Sequence, residues 1–519
     1  MKNKFYVLAT AAFSLLCASC AETQVNHSNS GKSVPPPLMG WSSWNAFRVD
    51  ISEDIIKNQA DLMVEKGLKD AGYLNVNIDD GFFNERDSNG NMQANTTRFP
   101  NGMKPVVDHI HSLGMKAGIY TDAGNNTCGS MADKDHAGVG AGIYGHEEQD
   151  AQLYFGDWGF DFIKIDYCGG SFLGLDEEER YTSIRKSIDK VNKDVSVNIC
   201  RWAFPGTWAE NIANSWRISG DINAHWNSLK YVVGKNLYLS AYARNGHYND
   251  MDMMVIGFRD SCKVGGEGLT PTEEEAHFGL WCIMSSPLLI GCNLATMPES
   301  SLQLVTNKEL IALNQDPLGR QAYVVQHENE GYVLVKDIEQ QRGNVRAVAL
   351  YNPSDTVCTF SVPFSTLEFG GNVKVRDLVK HNDLGTFSGT FEQTLPAHSG
   401  MFLRMEGENR LEPTLYEAEW AYLPLYNDLG KNSKGIVYSY DRQASGKMKV
   451  GFIGGQPENY AEWSEVYSEK GGRYNMTINY SFGKGRQLDL TVNDTTTRIN
   501  SLADDDNHHQ ITVPVELKS

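Results

Sequence analysis

From residue 35 to about residue 319, short apolar runs alternate with stretches of helical periodicity. Apolar runs at 38–41, 74–79, 116–120, 162–166, 195–200, 216–219 and 288–290, with a weaker one at 239–242, predict β-strands. Helical patterns cover 104–113, 147–158, 176–191, 223–233 and 272–284. Another helix opens after Ser52, an N-cap followed by Glu53 and Asp54 in the first turn. Eight strand–helix units in about 285 residues predict an α/β fold of the (β/α)8 TIM barrel type. The runner-up, a doubly wound sheet, lacks a Gly-rich phosphate turn after its first strand.

Beyond residue 319 the period shortens to two. Runs at 332–336, 345–351, 358–362, 373–377 and 401–405 predict a small antiparallel β-sandwich over residues 320–406. Residues 406–413 read as a linker, and residues 413–519 as a further β-sandwich.

The strand ends carry the chemistry. A barrel builds its active face from residues at the C-terminal ends of its strands. Those ends here are rich in acids and aromatics: Trp41, Asp79-Asp80, Tyr120 and Asp122, Lys164 and Asp166, Arg201-Trp202, Arg217 and Asp221, and Asp250 and Asp252. Carboxylates that accept hydroxyl hydrogen bonds, beside rings that cover apolar faces, compose a sugar pocket. Side chains alternate along a strand, so Lys164 and Asp166 face the same way. A neighbouring cation lowers a carboxyl pKa, which predicts an ionised, nucleophilic Asp166.

Composition narrows the partners. A net charge of −19 argues against nucleic acid and anionic membranes, and suits a neutral sugar. Lys2, Lys4 and the apolar run 5–16 read as an export leader too short to span a bilayer, with residues 21–34 as a tether. Ala18-Ser19-Cys20 resembles the end of a bacterial lipoprotein box with Cys20 lipidated; the alternative is ordinary cleavage near Ala21. Either way the chain is exported, to the periplasm or cell envelope, and touches a membrane only through such an anchor. Seven cysteines remain outside the leader, at 128, 168, 200, 262, 282, 292 and 358, so at least one thiol stays free. No CxxC or His-rich spacing suggests a metal site in the barrel.

Taken together, Met39-Gly40-Trp41-Ser42-Ser43-Trp44-Asn45, Ile78-Asp79-Asp80-Gly81, Arg98-Phe99-Pro100, Lys164-Ile165-Asp166-Tyr167-Cys168 and Asn314-Gln315-Asp316-Pro317-Leu318-Gly319 resemble, in order and spacing, the signatures of glycoside hydrolase family 27, the clan D retaining α-galactosidases. The resemblance implies Asp166 as nucleophile and Asp221 as general acid/base of a double displacement that needs no cofactor. It implies a galactose pocket lined by Trp41, Asp79, Asp80, Tyr120, Lys164, Arg217 and Asp252, bordered by Cys128, Cys168, Arg201, Trp202 and Met253. It also implies a Cys128–Cys168 disulfide tying two active-site loops. Asp221, the protonated partner, is expected to have the higher pKa.

One departure bears on specificity. The family usually has Cys-Glu-Trp where this chain has Cys200-Arg201-Trp202-Ala203-Phe204-Pro205. If Phe204 and Pro205 line that wall, they leave little room for an acetamido group and favour galactose. Members acting on β-L-arabinopyranosides tend to carry Glu as the first acid of the pair, and Asp79 is the shorter residue. The alternatives are β-L-arabinopyranosidase, α-N-acetylgalactosaminidase, an α-glucan exo-hydrolase and a non-catalytic glycan binder.

Residues 413–519 resemble carbohydrate-binding modules of the family 6/35 type, in which a Glu-x-Glu near the start, here Glu417 and Glu419, helps hold a structural calcium. The closing strand that usually follows is missing after residues 511–515, so the module reads as incomplete. Trp420, Tyr422 and Trp463 are candidates for sugar stacking, with core packing the stronger reading.

Overall fold

The computed structural model describes residues 3–10, 34–259, 263–328, 330–429, 436–481, 486–500, 502–503, 505 and 507–519. The proposed lipidation site Cys20, and Cys262, lie outside the described residues.

Eight parallel strands form one curled sheet: β1 Met39–Ser42, β2 Asn75–Asn77, β3 Lys116–Asp122, β4 Phe162–Asp166, β5 Ser196–Ile199, β6 Ser215–Arg217, β7 Tyr248–Asp250 and β8 Leu288–Ile290. They pair in sequence from β7 back to β1, with β8 beside β1. Met254 closes the ring: its N–H donates to Leu289 O (2.7 Å), and its carbonyl accepts from Gly291 N (3.2 Å). Outward residues such as Ile119, Ile163, Ile165, Val197, Ile199 and Trp216 are buried beneath the surrounding helices. Inside, Gly118 is required because a Cβ there would meet Asn77 Oδ1 at 2.1 Å and the Phe162 ring at 2.8 Å.

Strand β7 corrects the sequence reading. Residues Ser240–Tyr242 form a 3-10 turn, and the strand comes later at Tyr248–Asp250. The apolar residues at 239–242 owe their hydrophobicity to contacts outside the sheet: Tyr242 is buried against Phe204, Tyr422 and Tyr426. The true strand is short and polar at its end, and pattern alone passes over it.

Helix caps follow their chemistry. Ser52, Asp176 and Thr270 each accept from the backbone N–H three residues on, at Ile55, Glu179 and Glu273. Thr270 and Glu273 complete a reciprocal capping box with Pro271 in the first turn. That last helix, Pro271–Ile283, packs on strand Ser399–Arg410 of the second domain so closely that a Cβ on Gly279 would lie 2.0 Å from the Phe402 ring. The second domain is the expected antiparallel sandwich. A six-stranded sheet covers the pair Cys358–Pro363 and Thr390–Leu395, and Val333, Val348, Phe360, Phe391 and Leu403 lie between.

The expected linker begins later than residue 406. Residues 406–410 continue the strand Ser399–Arg410, because Arg410 is satisfied by Asp337 and Glu368, each at 2.8 Å. The third domain contains a four-stranded sheet in which Asn3–Thr10 lies between Ala461–Val466 and Gln487–Val492. In the full chain, residues 3–10, read from the sequence as part of a leader, pair with that sheet. An apolar, β-prone run suits a half-buried strand as well as a leader, and Phe5 packs with Leu488 and Leu490. The candidate stacking rings are taken up by packing. Trp420 Nε1 donates to Val324 O, Trp463 Nε1 donates to Glu417 O, and Tyr422 packs on Tyr242.

Candidate active site

The acids at the strand ends converge. Asp79 and Lys164, on the inward faces of β2 and β4, form a 2.9 Å ion pair. Two residues further along β4, Asp166 is buried and accepts from Tyr167 N (3.0 Å). Arg217, at the end of β6, reaches Asp252 Oδ2 at 2.8 Å and Asp221 Oδ1 at 3.0 Å. A cavity of ≈ 20 Å³ beneath these groups is lined by Asp79, Lys164, Asn198, Arg217, Asp252 and Met253, among others. Trp41 is fully buried, its indole donating to Cys292 O (2.8 Å).

Asp252 stands at φ +80°, held there by Ile222 N (2.9 Å) and Met253 N (2.7 Å), both donating to its carboxylate. A non-glycine residue in that region is strained, and the strain turns the carboxylate onto Arg217.

The loops after β3 and β4 are joined by the expected Cys128–Cys168 disulfide, with Cα atoms 5.2 Å apart. Backbone meets backbone beneath it: a Cβ on Gly124 would lie 2.0 Å from Gly169 C. Asp122 binds both loops through one oxygen, its Oδ1 accepting from Gly124, Gly169 and Gly170 N at 2.7, 3.0 and 3.2 Å. Tyr120 Oη accepts from Cys128 N (3.2 Å), and Asp80 Oδ2 accepts from Gly129 N (2.6 Å). Cys200, Cys282, Cys292 and Cys358 are buried thiols.

Two electrostatic expectations change. Lys164 was to depress Asp166; burial outweighs it, and with Asp221 and Asp79 also pushing upward the carboxyl rises to about 6. The amine's hydrogen bond goes to Asp79 instead. Asp166 remains mostly ionised at pH 7. Asp221, expected to be the weaker acid, is the stronger in this structure. The crowding of the barrel loops raises it, but Arg217 and Lys164 outweigh that and lower it below the usual carboxylate range. With the side chain 62 % exposed, the Arg217 ion pair decides the direction. Burial also lifts Asp80 and Asp122 to about 7 and Asp252 to about 6.

Arg201 neither points free into the pocket nor leaves a charge unpaired. Its Nε donates to Glu177 Oε1 (2.9 Å), and its guanidinium lies 5.4 Å from the Tyr167 ring and 5.6 Å from the Trp202 ring. The idea that Phe204 narrows the wall fails. Its buried ring lies 4.5 Å from Tyr242 and 5.6 Å from Tyr426, on the side of the third domain. Two contributors went unassigned in the sequence: Glu177 and the clamp on Asp122. Asp122 was findable, since parallel pairing sets it opposite Asp166; Glu177 sits in an acidic helix start that reads as dipole compensation alone.

In the third domain Glu417 and Glu419 do come together. Burial raises both carboxyls, Glu419 to about 7 with Glu417 adding to it, and the buried Glu419 Oε1 has no hydrogen-bond partner among the described residues.

Comparison with known proteins agrees with this geometry. Residues 36–316 match the family described as Alpha galactosidase A, and residues 332–405 match the Alpha galactosidase C-terminal beta sandwich domain. The chain is 37% identical to the alpha-galactosidase of Cyamopsis tetragonoloba over 70% of this chain and 84% of that one. It is 34% identical to alpha-galactosidase A of Cellvibrio japonicus, over 71% and 91% of the two chains. The crystal structure of alpha-galactosidase I from Mortierella vinacea superposes with a TM-score of 0.65, at 29% identity, covering 74% of this chain and 100% of the other. The chain belongs to the alpha-galactosidase A family, glycoside hydrolase family 27, and is a glycoside hydrolase.

Proposed function

We propose that the protein is a retaining, exo-acting α-galactosidase that removes terminal α-D-galactosyl residues from oligo- or polysaccharides. The observation that carries the reading is the convergence of Asp166 with Asp221 and the Asp79–Lys164 and Arg217–Asp252 pairs on one barrel end. Asp166 attacks the anomeric carbon while Asp221 protonates the departing oxygen. Asp221 then takes a proton from water, and the hydroxide releases the galactosyl-enzyme. Because Asp221 begins paired with Arg217, a sugar seated over Asp166 must loosen that pair; shielded from water beside anionic Asp166, its carboxyl then rises toward the range of a general acid. The short Asp79 favours galactose over an arabinopyranoside, which lacks the carbon bearing the 6-hydroxyl.

Asp166→Ala should abolish turnover of p-nitrophenyl α-galactoside, with azide restoring release of nitrophenol. Near-normal activity without azide would refute the assignment, and a panel of p-nitrophenyl glycosides ranks galactose against arabinopyranose and N-acetylgalactosamine.

Two finer readings accompany it. The third domain is a carbohydrate-binding-like module whose paired, raised carboxyls Glu417 and Glu419 suit a structural calcium. Calcium should raise its melting temperature and a chelator reverse the gain; Glu419→Gln should lose the response, and an unresponsive wild type would sink the reading. The leader directs export, with lipid on Cys20 or cleavage near Ala21, which the mass of the exported protein distinguishes.

A further inference from the structure

The loop after β5, residues 200–206, begins inside the site and ends against another domain. At its start the Cys200 thiol lies 3.7 Å from Arg217 Nη1, and Arg201 covers Tyr167, the neighbour of Asp166. Its path requires two left-handed backbone positions, Trp202 at φ +61° and Gly206 at φ +119°. For tryptophan that conformation is strained, so something must hold the loop there.

The holding contacts come from the third domain. Phe204 and Tyr426 are stacked, 5.6 Å apart with 16° between planes. Phe204 O accepts from Asp428 N (2.9 Å), and Thr207 Oγ1 donates to Pro424 O (2.7 Å). Asp428 is itself tied to the barrel through Lys235 at 2.7 Å. Every one of these contacts lies on residues 424–428, upstream of the module's strands.

We infer that the third domain sets the position of the loop carrying Arg201 and Trp202, so that Tyr426 and Thr207 are positioning residues for sugar binding although neither touches the sugar. The inference rests on the hydrolase reading above. A loop wall that shifts alters how the sugar is seated more than how Asp166 and Asp221 react, so the effect falls on KM.

The experiment is Michaelis kinetics on the full chain with p-nitrophenyl α-galactoside. Tyr426→Ala and Thr207→Val should each raise KM roughly three- to tenfold, the reach of one stacked pair or one hydrogen bond, with kcat within about twofold. Tyr426→Phe keeps the ring and should keep the wild-type KM. Glu465→Gln weakens a different contact of the same domain, the pair with Arg320, and should leave KM unchanged. A folded Tyr426→Ala with wild-type KM overturns the inference, as does a Glu465→Gln effect of equal size. If Tyr426→Ala fails to fold, Thr207→Val decides by the same criterion. A wild type that does not cleave the glycoside overturns the hydrolase reading instead, and calorimetric galactose affinity across the same variants then decides the loop's role.

Discussion

Replacing Cys128 and Cys168 together by serine should weaken the barrel far more than it weakens the chemistry. The bond closes a loop with a sequence separation of 40. Loop-closure entropy for that length corresponds to roughly 4 kcal/mol, and measured values for native disulfides center on about 2–4 kcal/mol. The folded arrangement has other ties in the same place: three glycine amides on Asp122 and the Cys128 N to Tyr120 Oη bond. These survive the substitution, so the site should stay assembled and kcat at 25 °C should fall modestly. Eight of the ten tryptophans lie in the barrel, so urea unfolding followed by tryptophan fluorescence reports mainly on that domain. With a slope near 3 kcal/mol per molar urea, the midpoint should drop by about 1 M. Mass spectrometry must first show the wild-type bond formed. An oxidised wild type and the double variant with the same midpoint would refute the reasoning; so would a collapse of activity without any loss of stability, which would make the bond a part of the chemistry.

Three further outcomes are expected. The acid limb of kcat/KM should lie near pH 6, where Asp166 takes up a proton and ceases to be a nucleophile. Asp122 rises to about 7 and is mostly neutral at that pH, so Asp122→Asn, which keeps the Oδ1 acceptor, should leave the limb in place; a limb that moves or vanishes in that variant would make Asp122 its source. Asp122 also titrates at about 7 folded against 3.8 as a free side chain, so the folded state holds its proton over that window and stability falls as pH rises through it. The same variant should flatten that fall, read by urea midpoints between pH 4 and 7. Finally, Lys336 is buried between the barrel and the second domain, donating to Ser285 Oγ, Leu313 O and Arg320 O at 2.9, 2.6 and 3.1 Å. Lys336→Met removes all three donated bonds, with Ser285 Oγ still donating to Arg320 O (2.7 Å), and should cost about 1–3 kcal/mol in urea unfolding without changing KM; an unchanged midpoint refutes it.

Most of the barrel was legible because its strands are apolar runs with chemistry-bearing ends, and Asp166, Asp221 and their neighbours sit where barrel geometry places active residues. Strand β7 was not, since three residues ending in Asn249-Asp250 carry too little pattern to outweigh the tyrosine-rich run before them. The pKa order failed for a different reason. Strand alternation shows that Lys164 and Asp166 share a face, but only coordinates show that the amine chooses Asp79 and that Arg217 reaches Asp221. Phe204 illustrates the same limit: its position in the motif suggested a pocket wall, whereas its ring is claimed by Tyr426, more than two hundred residues away in sequence. Contacts between domains leave no local trace in either partner.

The strand Asn3–Thr10 makes the two ends of the polypeptide interdependent. Without it, Ala461–Val466 and Gln487–Val492 would face each other across a slot one strand wide, with unsatisfied amides and carbonyls on both walls. Such a slot recruits a guest strand, from a tag, a chaperone or a second molecule. Removal of the leader on export is therefore a change to the far C-terminal sheet as well: the mature chain carries the slot open, and strand exchange or aggregation after cleavage would originate more than four hundred residues from the cut.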